Sequence, residues 1–290
     1  MVSNVSFYYF RGTIMLQEVH NKEEDIFQIA REAGNEILDV YQGDDFQVEI
    51  KSDKTPLTIA DKKSNHIIVK GLQEIFPEIP ILSEESRRIP YHERKKWKYL
   101  WIIDPLDGTK EFIKRNGEFS INLALIKNSV PIFGILYIPV KEILYFASKG
   151  YGAYKKDRST DNIKLPTNRK DKKNEKSNDM VKRIIFSRSH YTEETKHFVE
   201  RIKKQFSRIH MISAGSAMKM AYLAEGKADI YPRLAPTMEW DIAAGQIILE
   251  ESGGKLLDFY KRTPLIYNKK DLINPWFLAI GNNVNHTQFI

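Results

Sequence analysis

The chain has 290 residues, of which 42% are hydrophobic and 29% are charged, a composition typical of a globular protein with one large domain or two smaller ones. It contains no cysteine, which excludes disulfides, zinc–thiolate sites and thiol nucleophiles and is typical of a reducing compartment. The net charge of +7 raises the question of a nucleic-acid partner, and no apolar run is long enough to predict a transmembrane helix.

The start of the chain is predicted to be a disordered extension followed by an amphipathic helix. Residues 1–22 lack a long apolar core and a clear small-residue cleavage site, so they do not resemble a signal peptide, and Met15 is an alternative start. Glu23 to Tyr41 carries apolar residues at helical spacing and is closed by Gly43. Val48 to Lys51 then predicts a short strand.

Acidic residues follow in the next two predicted elements. Thr58 or Asp61 is expected to begin a helix, because both residue types cap helices well. Ile79 to Leu82 predicts a strand, which ends in the paired carboxylates of Glu84 and Glu85. Paired glutamates in a loop are usually solvated, so these residues alone do not define a site.

The chemistry of the sequence centres on a polar segment that follows a buried strand. Tyr99 to Ile103 predicts the strand, and it ends at once in the segment Asp104 to Thr109, which reads DPLDGT. A tight turn there would bring both aspartates and the Leu106 carbonyl to one side, a donor set that suits Mg²⁺ rather than Zn²⁺. The N–H groups of Gly108 and Thr109 would then face an anion. An ordinary surface turn is the alternative.

Short apolar segments and a basic segment complete the first half. The lengths and spacing of the apolar segments are typical of antiparallel strands. These segments are Phe119–Ile126, Pro131–Ile138, Glu142–Ala147 and Tyr151–Tyr154. Lys155 to Arg183 carries eleven Lys and Arg residues against five acidic residues, and so polar a segment cannot bury enough apolar surface to fold. We interpret it as a solvated basic loop. Attraction of an anionic substrate or a membrane surface is the alternative use of its charge.

Strands and helices alternate through the second half, as in α/β proteins. The predicted strands are Arg183–Phe186, Ile209–Ile212, Ala228–Tyr231, Lys255–Leu257 and Trp276–Ile280, and the predicted helices are Thr192–Lys204, Ser216–Glu225 and Trp240–Glu251. The sequence therefore predicts two layered subdomains. Residues 23–180 form an α+β unit with most of the acidic motifs and the basic loop, and residues 181–290 form an α/β unit.

The second subdomain contributes further polar residues that are candidates for ligand binding. Asp241 stands at a helix start, where a carboxylate complements the helix dipole whether or not it binds a ligand. A Gly-Ser turn opens another helix and places Lys219 one turn in, an arrangement that suits an anion. Lone basic residues are usually only solvated, and a lone histidine is usually structural. The candidates are Ser187, His190, Gly215, Ser216, Lys219 and Arg233.

In combination and in this order, the motifs resemble those of the inositol monophosphatase superfamily, a group of Mg²⁺-dependent, lithium-sensitive phosphatases. Asp104 to Thr109 is similar to the D-P-x-D-G-T signature, Trp240 to Gly245 to W-D-x-A-A-G, and Ser83 to Glu85 to S-E-E. Lys51 to Asp61 is similar to K-x-D-x-S-P-V-T-x-A-D, with Thr55 and Leu57 as departures. The resemblance extends from Glu23 to Ile280.

The resemblance implies a fold, a set of metal ligands and a catalytic group. The fold would be α/β (α+β), a layered αβαβα sandwich of the inositol monophosphatase and sugar phosphatase type. The expected Mg²⁺ ligands are Glu84, Asp104, the Leu106 carbonyl, Asp107 and Asp241, which would hold two ions, with a third near Asp61 and with Glu85 as a nearby support. Asp61, Glu84 and Thr109 would be catalytic, because a water deprotonated with help from the Thr109–Asp61 pair would attack phosphorus.

Lys110-Glu111-Phe112 and the polar cluster of the second subdomain resemble the branch that acts on 3′(2′),5′-bisphosphate nucleotides. The implied substrate-binding residues are Gly108, Thr109, Ser187, His190, Gly215, Ser216, Lys219 and Arg233. The expected reaction is hydrolysis of adenosine 3′,5′-bisphosphate to AMP and phosphate, in sulfur assimilation, with 3′-phosphoadenylyl sulfate as a second substrate. The expected partner is this small molecule rather than nucleic acid, in a cytoplasmic monomer or homodimer.

Two alternatives to this function stay open at the level of sequence. Within the same class, the chain would be an inositol or other sugar phosphatase. In a different class, the Lys155 to Arg183 segment would bind nucleic acid or a membrane surface, which predicts binding that weakens steeply with salt. Peripheral attachment at the cytoplasmic side of the inner membrane would also be compatible with an enzymatic role.

Overall fold

The structure is a computed structural model that describes residues 15–52, 55–158, 161–167, 182–188, 191–206, 208–282 and 284. The helices are α1 (Glu23–Gln42), α2 (Ile59–Ile75), α3 (Tyr91–Arg94), α4 (Thr109–Ile113), α5 (Glu193–Lys203), α6 (Met218–Ala224) and α7 (Glu239–Glu251), with a 3₁₀ turn at Pro139–Lys141. The first strands are β1 (Glu49–Ile50), β2 (Pro56–Leu57), β3 (Ile81–Ser83), β4 (Tyr99–Asp107), β5 (Ser120–Lys127), β6 (Val130–Ile138) and β7 (Ile143–Ser148). The remaining strands are β8 (Gly152–Lys156), β9 (Ile163–Lys164), β10 (Lys182–Ser187), β11 (Ile209–Ala214), β12 (Ile230–Arg233), β13 (Lys255–Asp258) and β14 (Phe277–Ile280).

Two sheets organise these elements. The larger has seven strands in the order β3-β4-β5-β6-β7-β8-β9, and only β3 and β4 pair in parallel. The smaller has five strands in the order β11-β10-β12-β14-β13, in which β10 is parallel to both of its neighbours. A two-stranded antiparallel hairpin of β1 and β2 stands apart from both sheets.

Helices cover both faces of the sheets because the central strands are apolar on both sides. Trp101 of β4 packs with α1 and α2, whereas its neighbour Ile102 packs with α6 and α7. The same two helices contact Phe277 of the smaller sheet, and α5 covers the opposite face of that sheet through Phe198. The layers therefore run α, β, α, β, α, which confirms the predicted αβαβα sandwich. No helix in the described ranges is long and apolar enough to cross a bilayer.

The start of the described chain differs from the prediction of a disordered extension. Residues 15–21 are helical, Val19 is fully buried, and Met15 and Leu16 pack against the core of the larger sheet. The prediction is wrong for these residues, because their apolar side chains pack into this core. Residues 1–14 lie outside the described ranges.

Strand β4 is longer than the sequence predicted. It continues beyond Ile103 to Asp107, and its register against β5 shifts between Asp104, which pairs with Asn122, and Asp107, which pairs with Ser120. The shift is a β-bulge, since three residue steps on β4 face two on β5. A bulge tolerates Pro105, which lacks an N–H group. The aspartates therefore sit on a bulged strand end rather than on the tight turn that was expected.

The ends of the basic segment are structured, so the prediction of a solvated loop is wrong there. Lys155 and Lys156 end β8, and Lys182 and Arg183 begin β10. Neighbouring carboxylates neutralise three of these charges: Lys155 pairs with Glu225 at 3.1 Å, Lys156 with Glu24 at 2.8 Å and Arg183 with Asp229 at 2.6 Å. Residues 168–181, which carry much of the charge, lie outside the described ranges.

Candidate active site

A cavity of about 1050 Å³ opens where the end of β4 meets the first turns of α6 and α7. Most of the predicted site residues line it: Glu84, Asp104, Leu106, Asp107, Gly108, Thr109, Ser187, Ser216, Lys219, Arg233 and Asp241. Asp61 and Gly215 lie behind this surface, and His190 lies outside the described residues. The fold therefore brings residues from both halves of the chain to one surface.

Three carboxylates from different elements converge in the cavity. Glu84 follows β3, Asp104 lies on the parallel neighbour β4, and Asp241 lies in the first turn of α7. One oxygen of each lies within 4.8 Å of an oxygen of the others. Because β3 pairs with β4 through Ser83 and Ile103, the residues that come next on each strand emerge side by side. This pairing explains how two distant acidic motifs meet.

The cluster is electrostatically unfavourable without a cation. Burial raises the pKa of Asp104 well above its ordinary value, and the nearby carboxylates of Glu84, Asp107 and Asp241 raise it further. Burial likewise raises the pKa of Asp241, with Asp107 and Glu84 adding to the effect. Buried carboxylates so close together need a proton or a positive ion. Since every donor is an oxygen, the set fits a hard divalent cation such as Mg²⁺.

Asp107 joins this cluster to the start of α6. Its Oδ2 accepts hydrogen bonds from the Ser216 hydroxyl at 2.7 Å and from the Ala217 N–H at 2.6 Å, and the Asn122 amide lies 3.5 Å away. Burial raises the pKa of Asp107, although the Lys219 ammonium and these hydrogen bonds oppose the shift. Because the three donors all contact Oδ2, the other oxygen has no hydrogen-bond donor within the described part of the chain and can accept a cation.

Lys51 balances the charge of the glutamate pair, a contact that sequence reasoning missed. Its ammonium donates to Glu84 Oε1 at 2.8 Å and also contacts Glu85 Oε1. Burial lowers the pKa of Lys51, but the two carboxylates outweigh this effect and hold it above its ordinary value. The only signal in the sequence was the place of Lys51 at the head of the K-x-D motif.

Asp61 contacts both the start of α2 and Thr109. Its Oδ2 accepts the Thr58 N–H at 2.7 Å and the Thr58 hydroxyl at 2.5 Å, which caps α2. Its Oδ1 accepts the Thr109 hydroxyl at 3.1 Å, and that hydroxyl also lies 3.3 Å from the Leu106 carbonyl. Burial raises the pKa of Asp61 against these hydrogen bonds, so the carboxylate is a stronger base than usual.

Two buried cations also line the cavity. Lys219 is 6% exposed; its ammonium contacts the Ser216 carbonyl and lies 5.5 Å from the centre of the Tyr231 ring. Burial lowers the pKa of Lys219 to about 8, although Asp107 opposes the shift. Arg233 is 7% exposed and donates to the Pro236 carbonyl at 2.7 Å, while its buried Nε has no hydrogen-bond partner among the described residues. An anion in the cavity would satisfy both groups.

Gly215 makes a contact that the sequence did not predict. Its N–H group donates to Glu118 Oε2 at 2.8 Å, and its assignment as a substrate-binding residue stays a prediction. A Cβ atom at this position would lie 2.8 Å from Glu111 Cγ, which shows why the close approach requires glycine. Neither spacing nor composition pointed to Glu118, because its contacts join residues that are distant in sequence.

The comparisons with known proteins establish the family. The inositol monophosphatase family profile matches residues 19–289 of this chain. The chain therefore belongs to the inositol monophosphatase family, as its motifs predicted.

Several proteins named CysQ are similar to this chain over most of its length. The 3′(2′),5′-bisphosphate nucleotidase CysQ of Escherichia coli strain K12 is 36% identical over 256 residues, which cover 88% of this chain and 97% of that protein. The protein of the same name from Buchnera aphidicola is 39% identical over 234 residues, 80% of this chain and 83% of its own. The crystal structure of CysQ from Bacteroides thetaiotaomicron superposes with a TM-score of 0.78 and 41% identity, covering 90% of this chain and 97% of that one.

Proposed function

We propose that the chain is a Mg²⁺-dependent 3′(2′),5′-bisphosphate nucleotidase, a phosphoric monoester hydrolase that converts adenosine 3′,5′-bisphosphate to AMP and phosphate. The observation that carries the proposal is a buried pair of cations, Lys219 and Arg233, in the same cavity as the carboxylate cluster. Hydrolysis of one phosphate needs the carboxylate side alone, so the cationic side accounts for a second phosphate. The family and the bisphosphate nucleotidases that resemble this chain support the same function.

The carboxylates would hold the metal. Glu84, Asp104, Asp107, Asp241 and the Leu106 carbonyl are the proposed ligands of two ions, with a third near Asp61. When bound, Mg²⁺ neutralises the anionic phosphate, stabilises the departing oxygen and acidifies a water. Asp107 lies between the two sides of the cavity, since Ser216 and Ala217 hold its Oδ2. It therefore links the proposed metal site to the turn before α6.

Thr109 and Asp61 are the proposed route for the proton of the attacking water. The Thr109 hydroxyl donates to Asp61 Oδ1 at 3.1 Å, so its oxygen can accept a hydrogen bond from a water in the cavity. As the water attacks, its proton passes to the Thr109 oxygen and the Thr109 proton passes to Asp61. The raised pKa of the buried Asp61 carboxylate favours this uptake. Glu84, which lines the same side of the cavity, is a proposed catalytic residue as well as a ligand.

Lys219 and Arg233 would bind the second phosphate. Both are buried cations, and Arg233 also presents a buried Nε that lacks a hydrogen-bond partner within the described ranges. An arginine fork and an ammonium together give charge-assisted hydrogen bonds to phosphate oxygens. The ring of Tyr231 lies 5.5 Å from the Lys219 ammonium and limits its movement. Ser187 and Ser216 line the same side and are proposed to contact the nucleotide, with His190.

A phosphate-release panel with purified protein tests the proposal. The substrates are adenosine 3′,5′-bisphosphate, 3′-phosphoadenylyl sulfate, adenosine 3′-monophosphate and inositol monophosphate, each with Mg²⁺ and with a chelator. We expect the bisphosphate to give the highest kcat/KM, and the chelator to abolish release. Equal or faster hydrolysis of inositol monophosphate would favour a sugar phosphatase instead.

Variants of the cationic side sharpen this test. Lys219→Ala and Arg233→Ala should each reduce kcat/KM for the bisphosphate by about a hundredfold, because each removes a charge-assisted contact from a buried site. Lys203→Ala is the matched control, since Lys203 lies on the exposed surface of α5 in an ion pair with Glu200. If both site variants kept the activity of this control, the second-phosphate site would be assigned to the wrong residues.

The cytoplasmic location, the attachment to a membrane surface and the oligomeric state of the protein stay predictions.

A further inference from the structure

Glu118 lies between the proposed catalytic segment, residues 104–109, and the proposed second-phosphate site. Its carboxylate accepts the Gly215 N–H at 2.8 Å through Oε2. The Arg188 guanidinium donates to the same carboxylate twice, from Nε to Oε2 at 3.0 Å and from Nη2 to Oε1 at 2.8 Å. Arg188 directly follows β10, and Gly215 directly follows β11. One side chain therefore ties together the ends of two neighbouring strands.

The backbone carbonyl of Glu118 lies close to two glycines, Gly108 and Gly215. A Cβ atom at Gly108 would lie 2.9 Å from the Glu118 carbonyl oxygen, and a Cβ atom at Gly215 would lie 3.1 Å from it. Gly108 belongs to the catalytic segment and has a left-handed φ of 93°. The first contact is closer than a side chain allows and the second is tighter than most Cβ contacts. The position of Glu118 therefore restricts the distance between the segment and the Gly215 turn.

The residues that Glu118 holds lead directly into the cavity. Gly215 precedes Ser216, whose hydroxyl and carbonyl contact Asp107 and Lys219 respectively. Arg188 follows Ser187, which lines the cavity. Glu118 itself does not line the cavity, so it acts on substrate only through these neighbours. Without the Glu118 side chain, the part of the cavity wall that carries Ser216 and Lys219 would be free to move.

We infer that Glu118 is a positioning residue for substrate specificity, which holds the second-phosphate site in register with the catalytic segment. The inference rests on the proposed function, since it assigns a role within that site. It predicts that a change at Glu118 weakens recognition of the second phosphate more than it slows the chemical step. A residue with a merely structural role would instead affect all substrates alike.

The test compares two variants with a matched control. Glu118→Gln keeps an acceptor for the Gly215 N–H but loses the charge that binds Arg188, whereas Glu118→Ala loses both contacts. Glu142→Gln is the control, because Glu142 forms a similar two-bond pair with Arg158 on an exposed surface. The readouts are kcat and KM for adenosine 3′,5′-bisphosphate and adenosine 3′-monophosphate, and the calorimetric Kd for AMP. Circular dichroism and thermal unfolding verify that each variant is folded.

We expect Glu118→Ala to raise KM for the bisphosphate and Kd for AMP about tenfold, with Glu118→Gln between it and the wild type. The selectivity for bisphosphate over monophosphate should fall by about the same factor, and Arg188→Ala should add little in the Glu118→Ala background. Equal losses on both substrates, or unchanged AMP binding in a folded variant, would overturn the inference. Failure of the proposed function would appear separately, as a wild-type enzyme without preference for the bisphosphate.

Discussion

The Ser216 hydroxyl donates a hydrogen bond to Oδ2 of Asp107 at 2.7 Å, although the two residues lie 109 positions apart in the chain. Ser216 has a left-handed φ of 50°, an uncommon conformation for a residue with a side chain. The contact joins the end of β4 to the turn before α6, and so joins the two sheets at the cavity. Strained backbone held by a hydrogen bond to an acidic residue is typical of a functional site.

Asp104→Asn should stabilise the protein in the absence of divalent cations. Asp104 has a raised pKa, so its ionised form costs stability at neutral pH, and the amide removes both the burial cost and the repulsion from Glu84 and Asp241. Thermal unfolding in chelator should therefore give a higher Tm for the variant than for the wild type. The same change should abolish the increase in Tm that Mg²⁺ gives the wild type.

The control for this prediction is Asp258→Asn. Asp258 is also buried, but its Oδ1 accepts the N–H groups of Tyr260 and Lys261, both at 2.8 Å. Loss of the carboxylate there weakens hydrogen bonds without relieving repulsion, so Tm should fall. An Asp104→Asn variant that was also destabilised in chelator would show that the carboxylate cluster is not repulsive.

AMP binding should weaken as the pH rises through about 8, the pKa of Lys219. Burial has lowered this pKa from its ordinary value, so the ammonium loses its proton at a lower pH than an exposed lysine. The second pKa of a phosphate ester is about 6, so the ligand itself does not titrate in this range. Calorimetry between pH 7 and pH 9.5 should show proton uptake on binding and a Kd that rises above pH 8.

Lys219→Met provides the comparison for the pH profile. Methionine fills similar space without a titrating group, so binding should be weaker at neutral pH and should lose its dependence on pH in this range. A wild-type Kd that stayed constant across the range would contradict the assignment of Lys219. If the Kd of the Lys219→Met variant still rose above pH 8, another group would be responsible for the titration.

Gly108→Ala should reduce kcat/KM by about a hundredfold, because misplacement of a catalytic group by about 1 Å has an effect of this size. Gly108 has a φ of 93°, and an added Cβ would lie 2.9 Å from the Glu118 carbonyl oxygen. Gly150→Ala separates crowding from strain, since Gly150 has a φ of 83° with open space around it. Steady-state kinetics should show normal activity for Gly150→Ala. Equal activity of the two variants would show that the catalytic segment tolerates crowding.

Sequence reasoning found the acidic cluster because each carboxylate follows a recognisable strand or begins a helix. Glu84, Asp104 and Asp241 were predicted from such local patterns together with the family resemblance, and the cavity contains all three. The β-bulge of β4 was not predicted, since it depends on the register against β5 rather than on residues near Pro105. A bulge is a property of two paired strands, and the pattern of either strand alone does not display their register.

The contacts of Lys51 and Glu118 were missed for a related reason. Lys51 meets Glu84 across 33 positions, and Glu118 meets Gly215 across 97. Such hydrogen bonds have no periodicity that a sequence displays. The prediction of a solvated loop failed at the ends of the basic segment for the same reason. Lys155 is neutralised by Glu225, which lies far along the chain on the turn after α6. Local charge alone could not identify these partners.

We propose that the carboxylates of Glu84, Asp104 and Asp241 bind Mg²⁺ beside a cationic site for a second phosphate. An anomalous-difference map from crystals grown with Mn²⁺ in place of Mg²⁺, and with AMP, tests both parts at once. We predict metal density between Glu84, Asp104 and Asp241, and the AMP phosphate in contact with Lys219 and Arg233. Metal density elsewhere, or an AMP phosphate away from both cations, would contradict the account.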